Sequence, residues 1–158
     1  METQEIGYVL PMDAWAALAA LQGATSFWAP EGDCEPDAAK GWGWLLDAEL
    51  AQETQEHLWA DPSLMAIVEQ MIQTREVLCI RQGQRNASLF QGPDFTLMWE
   101  SLPGNMVRVT PYPGYPEALG SVEERLFTPS APTVHACCSG PQGTKWKKQL
   151  SREELRAL

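Results

Sequence analysis

No apolar run in the chain approaches the roughly 18 residues that a membrane-spanning helix needs, which argues against a helical membrane protein. The opening residues, Met1-Glu2-Thr3-Gln4-Glu5, are acidic where a signal peptide is basic, and the apolar stretch from Ala14 to Leu21 is too short to replace one. The expectation is a soluble, cytoplasmic protein. Also missing are a glycine-rich phosphate loop, a serine nucleophile elbow and a dinucleotide-binding fingerprint. Positive charge is scarce at first: residues 1–62 hold twelve Asp or Glu against the single Lys40. With a formal net charge of −10, the chain is a poor match for a phosphate backbone, so nucleic acid is not expected as a partner.

Apolar material is plentiful. Hydrophobic residues make up 44% of the 158, with seven Trp, four Phe and three Tyr, enough to build a core and to exclude wholesale disorder. The length suits one domain, residues 1–158. Twelve Gly and twelve Pro, scattered along the chain, imply many short connections. The four cysteines (Cys34, Cys79, Cys137 and Cys138) fit reduced thiols better than a disulfide framework, because two are adjacent and Cys79 lies in an apolar run.

Ile6 to Leu10 reads as a first strand. Met12 to Leu21 follows as a helix, with Met12, Trp15, Leu18 and Ala19 at helical spacing. Residues 23–44 have no clean period and read as a long irregular loop. Asp47 to Trp59 reads as an amphipathic helix. Pro62 to Gln73 is the clearest helix, with Leu64, Ile67, Val68, Met71 and Ile72 on one stripe. Period two takes over after Thr74: segments at 77–80, 87–90, 95–100 and 106–110, separated by tight turns, predict an antiparallel meander. Glu117 to Phe127 reads as a short helix and Val134 to Cys137 as a further strand. Residues 145–158 read as a basic, peripheral C-terminal helix in which Ser151 and Glu154 match a capping box. The predicted fold class is α+β: an antiparallel sheet of four to five short strands with helices packed on one face.

Two constellations bear on chemistry. His135, Cys137 and Cys138, joined by Cys34, offer zinc-type ligands, but adjacent cysteines on a strand point to different sides and lack the usual paired spacing. His135 and Cys137 share a face if the segment is extended, so an imidazole–thiolate pair is geometrically conceivable, although no oxyanion site or orienting third group is marked. Asp33, Glu35 and Asp37 alternate as in a calcium loop, yet Ala38 and Trp44 stand where Gly and Glu are required. His57, one turn after Glu53, reads as a histidine with a helical neighbour. No cofactor is expected.

The aromatic residues outside regular elements allow two readings. Trp28, Trp42 and Trp44 in the acidic segment, with Tyr112 and Tyr115 among prolines, are either core rings of a folded-back loop or anchors of an interface.

Residues 61–127 run through a helix, antiparallel strands, a Thr-Pro-Tyr-Pro strand end and an amphipathic helix. Through Phe95-Thr96-Leu97, Val107-Arg108-Val109-Thr110-Pro111 and Ala118-Leu119 to Leu126, this part resembles one lobe of the EspG-type chaperones of type VII secretion. Those proteins carry two such lobes, and this chain has room for one. The resemblance implies a non-catalytic protein that keeps another protein soluble.

The leading expectation is therefore a non-catalytic protein-binding domain, chaperone- or immunity-like, whose acidic surface steers a basic protein partner. The alternatives are a small enzyme or ligand-binding domain with a cleft near His135 and Cys137, and a metal-stabilised module.

Overall fold

The computed structural model describes residues 7–23, 37–74, 76–140 and 143–158. The first strand, β1 (Tyr8–Pro11), leads directly into α1 (Met12–Leu21), whose Trp15 and Leu18 are fully buried. Helix α2 (Ala38–Asp47) starts at Asp37, whose carboxylate accepts the backbone N–H of Lys40, an N-cap that satisfies one orphan donor of the first turn. It crosses α1 so closely that a Cβ on Gly41 would lie 1.8 Å from the Asp13 carbonyl oxygen. A small hairpin, β2 (Ala51–Glu53) and β3 (Leu58–Ala60), then precedes α3 (Pro62–Gln73), which is capped by Asp61 and opened by its proline.

The sheet follows. Strands β4 (Val77–Gln82), β5 (Arg85–Gln91), β6 (Thr96–Leu102) and β7 (Met106–Tyr112) form the meander, α4 (Tyr115–Leu126) leaves it, and β8 (Thr133–Gly140) and β9 (Gly143–Ser151) return to it before α5 (Arg152–Arg156). All seven long strands pair antiparallel in the order β1-β7-β6-β5-β4-β8-β9.

The sheet therefore has seven strands rather than four to five, and helices pack on both faces rather than one. Side-chain alternation in the central strands explains the second difference. In β6 all of Thr96, Leu97, Met98 and Trp99 are buried, so each face needs its own cover. Leu97 and Trp99 join Phe90, Val107 and Val109 against α1 and α3, where the Trp15 and Trp99 rings meet at 6.3 Å and 48°. On the other face Met98, Leu89, Ile80 and Ala136 pack with Leu119, Val122 and Leu126 of α4 and Leu155 of α5.

Three further expectations are corrected. Helix α2 occupies residues 38–47, inside the expected loop, while the expected helix at 47–59 is the end of α2 and the β2–β3 hairpin. Glu49 takes φ 60°, a left-handed conformation that stops the helix, and His57 lies in the hairpin turn. The basic terminus is mainly strand: Lys145, Lys147 and Lys148 belong to β9, and only residues 152–156 are helical. That short helix does carry the expected capping box, and it docks. Leu155 is fully buried, and Arg156 forms two hydrogen bonds with the nearly buried Glu123 carboxylate, at 2.5 and 3.0 Å. Among the described residues, no helix is long and apolar enough to cross a membrane.

Candidate functional site: a polar cleft at one end of the sheet

Among the described residues, the cover of the α1–α3 face stops short of β8 and β9. That core draws residues from β1, β7, β6, β5 and β4, and none from β8 or β9. One cross-strand row shows the change. Reading the registers in order, Tyr8, Val109, Trp99, Ser88, Cys79, Cys137 and Lys147 lie side by side across all seven strands. The row begins apolar, passes through three small polar side chains, and ends on an exposed lysine. The neighbouring row runs Asn86, Arg81, His135 and Gln149 across β5, β4, β8 and β9.

These two rows floor an open cleft of about 640 Å³. Among the described residues its lining includes the side chains of Arg81, Lys147 and His135, and no carboxylate. In a molecule of net charge −10 this is a locally cationic surface. A second hollow, about 610 Å³ on the far face, contains Glu100, which is ion-paired with Arg125.

At the back of the cleft, Ser88 is fully buried, and its hydroxyl has no hydrogen bond of good geometry among the described residues. The Cys79 thiol across the β4–β5 register is close enough to feel it. Burial pushes that thiol up to about 12, with the Ser88 hydroxyl pulling the other way. Cys79 is thus a neutral thiol at physiological pH, which is the reverse of an activated nucleophile.

Alternation along β8 separates the expected metal ligands. His135 and Cys137 face the cleft, whereas Cys138 faces the opposite side, with its sulfur 3.9 Å from Glu76. Burial first, and Glu76 second, hold the Cys138 thiol above its ordinary range. Among the described residues, no group of three or more His, Cys, Asp or Glu side chains is placed to hold a metal ion. Cys34 and Trp28 lie outside the described residues.

The other aromatic candidates fall on two sides of the sheet. Trp42 and Trp44 are half-buried against the α1–α3 core, and the Trp42 indole donates to Glu53. Tyr112 is buried on the α4 face, its hydroxyl 2.8 Å from Ser121 Oγ, with Tyr115 half-buried beside it. Burial raises the Tyr115 phenol. The structure does not bring these four rings together.

Sequence reasoning named His135 and Cys137 but not Arg81, Ser88, Cys79 or Lys147 as parts of one place. Only the return of β8 beside β4 joins them. The polar alternation Lys145, Lys147, Gln149 was the available sign of a strand. No family model matches the chain, and no curated protein matches it in sequence.

Proposed function

We propose that the chain is a non-catalytic binding domain that holds an extended, acidic segment of another protein along the cleft and the outer edge of β9. The observation carrying this reading is a cleft that the described residues line without a carboxylate, with Lys147 in its floor, beside a long strand that they pair on one side. Among the described residues, no strand lies beyond β9, so its outward N–H and C=O groups are available to an added strand. Carboxylates on alternate residues of that strand would face Lys147. An acidic partner suits this site better than the basic one expected from bulk charge, because the local surface rather than the net charge sets complementarity. The neutral Cys79 thiol weighs against thiolate catalysis in the cleft. The chaperone-lobe resemblance of residues 61–127 agrees with a binding role.

The test is a fluorescence-anisotropy titration of a dye-labelled peptide alternating Glu and Val with the full-length chain. Saturable binding is expected to weaken with added salt. Lys147→Glu is expected to weaken it about tenfold, as two exposed charge contacts of about 0.7 kcal/mol would give. Equal binding of a Lys–Val peptide, or indifference to Lys147→Glu, would sink the proposal.

A further inference from the structure

Cys79 and Cys137 are register partners on adjacent antiparallel strands. Directly opposed residues in such a pair hold their Cα atoms about 4.5–5.5 Å apart with both side chains on one face. A disulfide accepts roughly 4.4–6.8 Å. Both side chains are half-buried in the cleft floor and both thiols are free. The two thiols are near enough for Cys137 to add to the rise of the Cys79 thiol. Cys138, although next in sequence, points through the sheet toward Glu76 and has no line to Cys79.

We propose that Cys79 and Cys137 are a reversible modification site, a cross-strand dithiol that a small-molecule disulfide oxidises to an intramolecular disulfide. The Cys137 sulfur, as thiolate, attacks one sulfur of the small-molecule disulfide, breaking its S–S bond and releasing one thiolate, which takes up the proton Cys137 gave. The mixed disulfide now sits beside Cys79. The Cys79 sulfur, through its minor thiolate fraction, then attacks Cys137 Sγ, the mixed S–S bond breaks, and the second small thiolate leaves and takes up the proton that Cys79 gave. The protein loses two electrons and two protons, and the reagent becomes two thiols. The roles follow from the cleft: Cys79, the more deeply set thiol, keeps its proton too firmly to attack a reagent from solution, and resolves the adduct because its opposed position on β4 makes that second attack intramolecular. The new bond would tie β4 to β8 in the middle of the cleft floor. The inference holds whatever occupies the cleft.

The full-length chain, incubated with glutathione disulfide and then alkylated after denaturation, tests it. A loss of two alkylatable thiols is expected, with peptide mapping that joins Cys79 to Cys137 and with full reversal by dithiothreitol. Cys138→Ser should leave the link intact, and Cys137→Ser should abolish it. A link through Cys138 or Cys34 would overturn the assignment, as would a persistent single glutathione adduct or no reaction at all. The map of the unmutated chain decides the matter even if Cys137→Ser fails to fold.

Discussion

Cys79 stands at the point in its row where buried side chains give way to solvated ones, with Ser88 fully buried on one side and Cys137 half-buried on the other. Its folded pKa of about 12 exceeds the ordinary 9.0, so between those values the folded chain keeps a proton that the unfolded chain releases. This group's contribution to stability is therefore complete below about pH 9 and declines as pH rises toward 12. The same proton governs reactivity. At pH 8, alkylation of Cys79 by iodoacetamide is expected to be at least ~100-fold slower in the native chain than in urea, since three pKa units correspond to about a thousandfold less thiolate. Site-resolved mass spectrometry measures both rates, and similar values would show that the thiol is not held neutral. No spacing rule in the sequence flags this residue. Val77-Leu78-Cys79-Ile80 reads as core, and β4 does bury Val77 and Ile80, while its partner strand leaves Cys79 at the rim of that core.

Among the elements, α2 carries two glycines with opposite meanings. At Gly41 an added Cβ would overlap the backbone of Asp13 and Ala14, whereas at Gly43 it would meet nothing within 4 Å. Gly41→Ala is expected to destabilise by roughly 1–3 kcal/mol because backbone cannot give way as a side chain can, a fall of about 2–10 °C in Tm. Gly43→Ala is expected to stabilise by about 0.5–1 kcal/mol through helix propensity alone. Thermal melts of the two variants check the pair, and a stable Gly41→Ala would disprove the close crossing. The two glycines are also why this helix is hard to read. They lower its propensity, while the window just after it imitates a helical period with Leu46, Leu50 and Leu58. By contrast, α1 and α3 occupy the residues their apolar stripes predict, and the meander strands lie where alternation places them, lengthened by one to three residues. Local pattern is enough when one element's own residues determine its burial. It is not enough for β9, where lysines with low strand propensity are held extended by pairing with β8.

At the scale of the molecule, the uneven charge of the sequence becomes a spatial division. Asp47, Glu49, Glu53 and Glu56 are exposed around α2 and the β2–β3 hairpin, and Lys145, Lys147 and Lys148 are exposed on the opposite edge strand. Lysines on an edge also discourage a second copy from pairing there, because two β9 strands would bring like charges together. The double change Lys147→Thr and Lys148→Thr is expected to increase self-association with concentration relative to the unmutated chain, as read by sedimentation velocity. Unchanged sedimentation would mean that some other feature protects the edge. The sequence revealed the imbalance of charge but not where it lies, since the order β4-β8-β9 depends on long-range pairing that no local window contains. The seven-residue row that crosses the sheet carries one more implication. Its first three members, Tyr8, Val109 and Trp99, are committed to the fold, and its last, Lys147, is free of it. The cleft-facing positions of β8 and β9, His135, Cys137, Lys147 and Gln149, can therefore change without disturbing Val134, Ala136 and Leu150, which the same strands bury on the other side.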